Sequence, residues 1–557
     1  MVFDGFVTKA VVTELNSTLI SGKINKIFVP NKNEVIIEIY SNKNNYKLLL
    51  STHPYNCRIH LTNHTKPNPI SAAMFCMVLR KHLLNGKIIN IVQSGLERIV
   101  QIVIETYNEL NDLVTKTLII EIMGKHSNII LINENNSIID SIKHVDNTMS
   151  SIREVMPSRK YTFPRQDKIN FSICCFEEFL KYIESNIKQN ISILTLDRLI
   201  ADTFIGFSRF FVQNILNELD IDFSKNITST DELYTIYAEN ILKKIFDYIN
   251  NFDLENNINY SVDEFYYIKE TNEILNNTKN NLIKNINSLI KKTNNAISSI
   301  NKKIEECSQM EDYRIKGELL SANMYKLSPG LDKIFVQNFY DSNNEIEIIL
   351  ESSLSPSGNL QKYFKKYTKL KKTLDIVLKQ KKEKKDELNY LNSILFEIES
   401  TENDHELDEI CEEITSLGNK YFSDKNKKNN LKQKKTLSEP HKFNINGFEV
   451  LVGKNNRQND KLTHKMAKNN DIWLHTKNIH GSHVIIKTEG KPVDNDTLIK
   501  SAQIAAYYSK AKESSNVPVD YTFIRFVKKL NSTNPGMVIY TEQKTLYVNP
   551  DKLLTFN

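Results

Sequence analysis

The sequence has few of the residues that mark a disulfide-stapled or linker-dominated chain. Its 557 residues include only six cysteines, Cys57, Cys76, Cys174, Cys175, Cys307 and Cys411. They form no CxxC pair and no even framework, which excludes a disulfide scaffold, argues against structural zinc and indicates reduced thiols. With 15 glycines and 13 prolines, the chain is neither collagen-like nor rich in flexible linkers.

Long apolar runs and a strong excess of one charge are also missing. Lys, Asn or Glu interrupts each apolar run well before the roughly 20 residues that span a bilayer. The N-terminus lacks the basic segment, apolar core and cleavage site of a secretory signal. We therefore expect a soluble cytoplasmic protein with no membrane partner. The net charge of +6 is too small to indicate a nucleic-acid partner by itself.

The remaining composition is that of a folded, multidomain α+β protein. Hydrophobic residues make up 40% and aromatic residues 9% of the chain, and its length predicts about three to four domains. We predict an N-terminal α/β domain, a helical domain, a long antiparallel coiled-coil arm with a small tip module, a basic linker and a C-terminal α+β domain. Their bounds are 1–170, 171–262, 263–422 with the tip at about 328–357, 423–442 and 443–557.

The first of these domains has the pattern of a mixed α/β fold with mostly antiparallel strands. Helical spacing predicts an opening helix that ends before Gly22, and a second helix from about Pro69 to Leu84 that stops at Gly86. Alternating runs bounded by Asn, Lys and Gly predict strands near 27–29, 35–40, 46–50, 87–93, 98–105, 116–123, 128–133 and 138–143.

The pattern becomes purely helical at about 175–255. Within it, Ile205-Gly206-Phe207-Ser208 has the hydrophobic-Gly-hydrophobic form of a helix-hairpin-helix turn. Such turns expose helix N-terminal amides that can hold a phosphate, although an ordinary αα-corner also uses glycine there. Both interpretations stay open.

Two heptad patterns, Leu282 to Met310 and Leu360 to Ile398, flank a β-like run at 331–350. The economical arrangement is an antiparallel two-helix arm with the β-like run at its tip. Lysines that include Lys362, Lys365 and Lys366 crowd the start of the second helix, where a solvated face and an RNA contact are equally good interpretations.

A Lys/Asn-rich stretch from Asp424 to Lys435 predicts a linker, and the last domain alternates strands with one clear helix, Asp496 to Ala511. His475, His480 and His483 have no accompanying cysteine and match no standard metal spacing. We therefore expect no metal and no cofactor.

Segments spread along the chain resemble the NFACT family. The N-terminal domain of that family is matched by Phe3-Asp4-Gly5-Phe6-Val7-Thr8, Phe75-Cys76-Met77-Val78-Leu79-Arg80-Lys81-His82-Leu83 and Glu121-Ile122-Met123-Gly124-Lys125-His126-Ser127-Asn128. Its middle region is matched by Tyr313-Arg314-Ile315-Lys316-Gly317-Glu318-Leu319-Leu320, Leu354-Ser355-Pro356-Ser357-Gly358-Asn359 and Gln361-Lys362-Tyr363-Phe364-Lys365-Lys366-Tyr367. Its RNA-binding domain is matched by Val452-Gly453-Lys454-Asn455-Asn456-Arg457-Gln458-Asn459-Asp460, Asp471-Ile472-Trp473-Leu474-His475-Thr476-Lys477, Gly481-Ser482-His483-Val484 and Pro535-Gly536-Met537-Val538-Ile539-Tyr540.

The resemblance, closest to the bacterial ribosome quality-control members of the family, implies a specific role. Such a factor binds large ribosomal subunits that carry peptidyl-tRNA, recruits alanyl-tRNA and supports template-free alanine tailing of the nascent chain. The resemblance further implies that the tip of the arm reaches the ribosomal stalk base and that the protein acts as a monomer. The ribosome would form the peptide bond, so we expect a positioning factor and not an enzyme.

The resemblance also gives two tRNA-binding candidates. Glu97-Arg98 stands where these relatives have an Asp-Arg pair needed for tRNA recruitment, and its carboxylate and guanidinium suit a base amino group and a phosphate or guanine edge. From the residues alone, a weak exposed ion pair is the simpler interpretation. The loop Glu121, Ile122, Met123, Lys125, His126, Ser127 and Asn128 is the second candidate, and a self-satisfied hairpin turn is the alternative.

Further candidates for RNA or ribosome contact are basic, amide or aromatic side chains. In the C-terminal domain, Lys454, Asn455, Asn456 and Arg457 combine short donors and cations in a predicted loop, which suits phosphate contacts. Trp473 is more typical of a core anchor than of a base-stacking platform. The full set is Arg80, Lys81, Lys362, Lys365, Lys366, Lys454, Asn455, Asn456, Arg457, Trp473, His475, Lys477 and His483.

Two other functions compete with this one. The N-terminal domain also resembles that of formamidopyrimidine-type DNA glycosylases, but Val2 stands where those enzymes have a proline nucleophile, and a zinc finger is missing. Relatives have also been labelled fibronectin-binding proteins, which suggests a surface adhesin. Without a signal peptide, anchor or disulfides, an adhesin would need an unconventional route to the surface.

Overall fold

The computed structural model describes residues 2–164, 167–171, 177–181, 185, 194–222, 226–227, 238–250, 257–342, 344–416, 438–529 and 534–551. The chain forms two compact units, Met1–Asn272 and Glu273–Asn557. Within the described ranges, no helix is both long and apolar enough to cross a membrane. The predicted linker from Asp424 to Lys435, and Cys174 and Cys175, lie outside the described residues.

A nine-stranded antiparallel sheet forms the centre of the first unit, in the order β4-β3-β2-β1-β5-β6-β7-β8-β9. Its strands are β1 Lys23–Asn31, β2 Glu34–Ser41, β3 Asn44–Ser51, β4 Arg58–Leu61, β5 Lys87–Gln93, β6 Ile99–Tyr107, β7 Leu113–Glu121, β8 Asn128–Ile132 and β9 Ile138–Ser141. The predicted antiparallel character is confirmed, and each predicted strand overlaps one of these, although their ends differ and β4 was not predicted.

Two helices pack on this sheet. Helix α1, Gly5–Leu19, begins where Asp4 Oδ1 accepts the Phe6 and Val7 N–H groups at 3.1 Å each, and it buries Val11 and Leu15 against the sheet. This confirms the opening helix.

Helix α2, Met74–Leu83, begins later than the predicted Pro69. Ile70 is fully exposed, and the helix starts only where Phe75, Cys76 and Leu79 can be buried. Packing therefore overrides the proline as the start signal.

The segment predicted to be purely helical contains α3 Leu196–Thr203, α4 Arg209–Glu218 and α5 Ala238–Asn250. That prediction is wrong in one detail, because Leu194–Thr195 (β10) pairs antiparallel with Asn226–Ile227 (β11). Two residues are too short a run to show the alternation that predicts a strand. The core here is a phenylalanine cluster, which includes Phe6 from α1 as well as Phe171, Phe179, Phe204, Phe207 and Phe211.

The second unit contains most of the long helix α6, Ile258–Ser308, followed by α7 Met310–Ala322, the hairpin β12 Lys333–Asn338 and β13 Asn344–Ile349, the long helix α8 Pro356–Ser400, and α9 Asp404–Ser416. Leu275 and Ile286 of α6 share a buried cluster with Leu391 and Ile398 of α8 and with Ile410 of α9. The two predicted heptad runs therefore lie on helices, and the β-like run between them is the hairpin.

A six-stranded antiparallel sheet ends the second unit, in the order β14-β15-β17-β16-β18-β21. Its strands are β14 His441–Ile445, β15 Phe448–Val452, β16 Ile472–Thr476, β17 Val484–Lys487, β18 Val517–Phe523 and β21 Lys544–Val548, while β19 Val527–Lys529 pairs with β20 Val538–Tyr540. Between them lie helices α10 Asn456–Lys461 and α11 Asn495–Tyr507. Helix α11 is the predicted helix, ending four residues early; α10 was not predicted.

Candidate nucleic-acid interface

Glu97 and Arg98 lie in the turn that joins β5 to β6. Arg98 is exposed and Glu97 is half-buried. Two hydrogen bonds hold the backbone of the turn in place. The Gln93 side-chain amide donates to the carbonyl oxygens of Gly5 (3.0 Å) and Glu97 (2.8 Å). The turn therefore presents the arginine from a fixed backbone.

Two glycines from distant parts of the sequence pack against the same turn. A β-carbon on Gly5 would lie 2.3 Å from the Leu96 carbonyl oxygen, and one on Gly206 would lie 2.6 Å from that oxygen. Gly206 also has a φ of +83°, which only glycine adopts readily. Its carbonyl accepts the Gly5 N–H at 2.9 Å. The opening motif, the Glu97-Arg98 turn and the α3–α4 turn thus meet without room for a side chain.

The N-termini of α1 and α4 are joined at this junction. Ser208, which caps α4, donates its hydroxyl to Asp4 Oδ2 at 2.7 Å. Burial raises the pKa of Asp4, while these hydrogen bonds and the nearby Arg98 oppose the rise. Burial lowers the pKa of Lys168, which lies close enough to feel the charges of both Arg98 and Glu97. Lys168 also feels the charge of Asp202, so two cations and two carboxylates lie in and beside the turn.

The loop after β7 is held by its buried members. Arg153 binds the Glu121 carboxylate with two bonds of 2.6 and 3.1 Å, and the Tyr161 hydroxyl donates to it at 2.9 Å. Ser127 Oγ accepts the Met123 N–H at 2.8 Å, which closes the turn. Arg153 and Tyr161, which lie outside the loop, therefore hold its first residue in place.

Hydrogen bonds of Asn128 and Lys143 hold the C-terminal end of the loop in the same way. The Asn128 amide exchanges hydrogen bonds with the Lys143 backbone, and the Lys143 ammonium donates to the Thr52 and Ser127 carbonyls at 2.9 Å each. Of the predicted loop residues, only Lys125 and His126 are exposed, while Met123 is half-buried. Glu121, Ile122, Ser127 and Asn128 are buried in the domain, where they support the loop.

The basic residues of α2 and of α8 differ in the groups that they contact. Arg80 donates to the Ile27 carbonyl at 2.8 Å, and Lys81 forms an exposed ion pair with Glu109 at 2.7 Å. On α8, Lys362 pairs with Glu351 and the Lys366 ammonium lies 4.9 Å from the centre of the Tyr313 ring.

Lys362, Lys365 and Lys366 also line a groove of about 440 Å³ on α8. All three are exposed, so this groove keeps a basic surface.

The predicted phosphate loop of the C-terminal domain is instead a helix N-terminus bound to carboxylates. Asn455 caps α10 and donates to Glu409 at 2.7 Å, and Asn456 donates to Glu413 at 3.3 Å. Both asparagines are buried. Their side-chain amides are engaged by these carboxylates.

The two cations of the same loop are engaged as well. Lys454 pairs with Glu406 at 3.0 Å and Arg457 with Glu412 at 3.3 Å. All these carboxylates lie on α9, which contains four glutamates within eight residues, 406–413. Helix α9 thus neutralises the loop.

Trp473 and His483 are also buried, and Trp473 lies in the core, as its residue type suggests. Its ring lies parallel to His475, with 5.7 Å between centroids, and edge-on to His483 at 5.3 Å. His475 is half-buried and Lys477 is exposed. No group of three metal-ligating side chains is found in the part of the chain that is described.

Sequence patterns missed the residues that support the two N-terminal loops. Arg153 and Tyr161 lie 32 and 40 residues from Glu121, and nothing local pairs them. No sequence pattern identifies Lys168 as a neighbour of the Glu97-Arg98 turn either. Gly5 and Gly206 did stand in motifs, but their shared contact with Leu96 is a property of the fold alone.

Comparisons with known proteins agree with the motifs. The pattern of the NFACT N-terminal and middle domains matches residues 4–436, and that of the NFACT protein RNA binding domain matches residues 441–541. The chain belongs to the NFACT family, which confirms the predicted family.

Full-length relatives support the same assignment. Over 99% of this chain and 98% of the relative, the sequence is 37% identical to the Rqc2 homolog RqcH of Bacillus subtilis (strain 168). With the same coverage, it is 32% identical to the Rqc2 homolog RqcH of Streptococcus pneumoniae serotype 2. Among solved structures, the C-terminal part of the fibronectin/fibrinogen-binding protein from Streptococcus suis has 30% identity, a TM-score of 0.40, and coverage of 50% of this chain and 97% of that chain.

Proposed function

We propose that this protein is a ribosome quality-control factor that binds large ribosomal subunits obstructed by peptidyl-tRNA, recruits alanyl-tRNA and supports template-free C-terminal alanine tailing. The observation that carries the proposal is the 37% identity to an Rqc2 homolog along nearly the whole of both chains. The quality-control role follows from that relationship. The identity of the tRNA and the state of the subunit are the finer parts of the proposal.

The Glu97-Arg98 turn is the primary tRNA contact in this proposal. Arg98 is exposed on a backbone that Gln93, Gly5 and Gly206 hold in place, so its guanidinium is available for a phosphate or a guanine edge. Glu97 replaces the aspartate of the relatives and offers its carboxylate to a base amino group. Lys168 adds positive charge beside them.

Lys125 and His126 form the second tRNA contact. They are exposed on a loop whose ends are fixed by Glu121 and Asn128, so the loop supplies two donors with little freedom to move. Glu121, Ile122, Ser127 and Asn128 act as positioning residues, and Met123 shapes the edge of the loop. Lys362, Lys365 and Lys366 on the groove of α8, with Arg80, Lys81, His475 and Lys477, are proposed contacts to ribosomal RNA.

The finer architecture belongs to the proposal as well. Helices α6 and α8 form an antiparallel coiled-coil arm, and its tip module at about 328–357 reaches the stalk base. The α3–α4 turn acts as a helix-hairpin-helix element toward tRNA phosphates. The domain bounds are those predicted from the sequence. The factor works in the cytoplasm as a monomer on the ribosome, positions tRNA and leaves peptide-bond formation to the ribosome.

The test is the double variant Glu97→Ala with Arg98→Ala, expressed with an affinity tag in the native cells. We expect large-subunit RNA to co-purify as before, while tRNA recovery falls at least about tenfold, in line with ~1–3 kcal/mol for one bidentate arginine contact. Alanine tails should disappear with the tRNA. Glu97→Asp, which restores the pair of the relatives, should keep both.

The matched control is Glu154→Ala with Arg159→Ala, which removes an exposed ion pair of 3.1 Å elsewhere in the same domain. Its tRNA recovery should equal that of the unmodified protein. Unchanged tRNA recovery from the Glu97-Arg98 variant would contradict the assignment of this pair, and recovery of the unmodified protein without ribosomal RNA would contradict the function itself.

A further inference from the structure

A cavity of about 560 Å³ lies in the second unit between α8 and the C-terminal sheet. Helix α8 contributes Asn389, strand β16 contributes Trp473 and His475, and the segment after it contributes Asn478 and His480. This volume is within the range of roughly 300–1,000 Å³ that small-molecule sites occupy. The cavity is therefore large enough for a ring-shaped ligand.

The wall of the cavity is built from stacked rings. Trp473 and His475 lie nearly parallel, with an interplanar angle of 14°, and Tyr540 lies 4.8 Å from the tryptophan ring. Trp473 is fully buried, whereas His475 and Tyr540 are half-exposed and line the cavity. A further flat ring can extend this stack at His475.

The polar groups of the cavity are uncharged apart from one carboxylate, Asp386 of α8, and no Lys or Arg is among its described lining residues. Burial lowers the pKa of His475 to about 4, so at pH 7 its ring is uncharged, with one donor and one acceptor nitrogen. The Trp473 Nε1–H, buried in the cavity wall, has no hydrogen-bond acceptor among the residues that are described. Asn389 and Asn478, both exposed, add amide groups at the rim.

We propose that this cavity binds an unpaired nucleobase, from RNA or from a free nucleotide, which stacks on His475. A nucleobase is flat and uncharged and has both donors and acceptors at its edge, as this lining requires. A bare phosphate or an acidic peptide would instead need cations in the wall. The inference rests on the proposed RNA-binding role of the C-terminal domain and names the part of RNA that it recognises.

The single tryptophan of the chain makes the test direct, because its fluorescence reports on this cavity alone. The full-length protein is titrated with AMP, GMP, CMP, UMP and a single-stranded RNA hexanucleotide, and Trp473 emission is followed. We expect a saturable change. Saturation by a mononucleotide identifies a free nucleotide as sufficient, and a response to the hexanucleotide alone identifies a base within RNA.

A pair of matched variants locates the response. Asn389→Phe places a ring in the cavity mouth and should weaken binding at least tenfold. Gln380→Phe adds the same ring on an exposed part of α8 outside the cavity and should leave binding unchanged. If Asn389→Phe loses its helical circular dichroism, Asn478→Ala replaces it, with an expected threefold loss.

The outcomes that overturn the inference are separate from those of the proposed function. No emission change with any probe, or equal affinities of the two phenylalanine variants, overturns the nucleobase site even when ribosomes and tRNA still co-purify. A saturable emission change in a protein that recovers no ribosomal RNA supports the cavity and contradicts the quality-control role.

Discussion

The loop at 121–128 and the loop at 454–457 are alike in composition but differ in what the fold does with them. In the first, Arg153 and Lys143 from outside the loop hold its buried residues, and the loop keeps Lys125 and His126 exposed. In the second, every predicted donor meets a glutamate of α9.

The difference lies in the local supply of carboxylates. Glu121 is the only acidic residue of the first loop, and Arg153 binds it, so it does not compete for the exposed cations. Helix α9 brings several glutamates to the second loop. A donor-rich loop is therefore a nucleic-acid site only where the fold leaves its donors available, and the sequence of the loop does not reveal that.

We expect the largest loss of stability from Glu121→Ala, which removes the carboxylate that Arg153 and Tyr161 bind in the first loop. This change leaves the Arg153 guanidinium and the Tyr161 hydroxyl without their carboxylate in a buried place, which costs about 3–5 kcal/mol for such a pair. Denaturant titration followed by circular dichroism should show this loss in the free energy of unfolding. The control Glu154→Ala removes only an exposed pair and should cost under about 1 kcal/mol; equal losses would contradict the supporting role of Glu121.

The second test measures how the stability of the protein depends on pH, through Glu397 of α8. Burial, and the neighbouring Glu413 charge, raise the pKa of Glu397 well above its ordinary value. As pH rises above the ordinary glutamate pKa, the unfolded chain releases a proton that the folded chain retains, so stability falls until the folded pKa is passed. Glu397→Gln should therefore be stabilised relative to the unmodified protein in thermal scans at pH 8 and hardly at all at pH 4.

Glu399→Gln on the same helix is the control for that experiment, since Glu399 is exposed. Its melting temperature should follow the unmodified protein at both pH values. A gap that is the same at pH 4 and pH 8 for Glu397→Gln would show that folding does not raise the pKa of Glu397.

A smaller effect is expected from Lys125→Ala with His126→Ala. Both side chains are exposed, so the melting temperature should stay unchanged while tRNA affinity falls about fivefold. The slope of log Kd against log salt should decrease by about 1, as for one lost phosphate contact. Fluorescence polarisation with labelled tRNA at several salt concentrations measures both quantities, and an unchanged slope would argue against contact at this loop.

The smallest effect belongs to Arg457→Ala. Its guanidinium pairs with Glu412 in an exposed place, so both stability and RNA affinity should change little, by under about 1 kcal/mol and under about twofold. The same polarisation assay applies. A loss as large as that of the Lys125-His126 variant would remove the distinction between the two loops.

The elements that the sequence predicts well are those with a local cause. Local strand patterns identified the strands of the N-terminal sheet except β4, and helical spacing identified α1. The two-residue ladder of β10 and β11 is too short for any pattern, and α10 is a single short helix whose cap, Asn455, resembles a loop residue.

The candidate sites depend on pairs that are distant in sequence. Glu121 needs Arg153, 32 residues away, and Asn455 needs Glu409, 46 residues away. The resemblance to the family identified the Glu97-Arg98 pair, but which members of each loop are exposed follows only from these long-range contacts. That is why the buried Asn128, Asn455 and Asn456 were predicted as contacts.

The bond between Ser208 and Asp4 also has a consequence for synthesis of the chain. The two residues are 204 positions apart. At ~5–20 residues per second, the ribosome needs roughly 10–40 s between making the first and the second. During that interval α1 can be capped by Asp4 alone, and the Glu97-Arg98 turn lacks the Gly206 backbone beneath it. A newly made copy therefore acquires its proposed tRNA contact only when synthesis has passed the second turn.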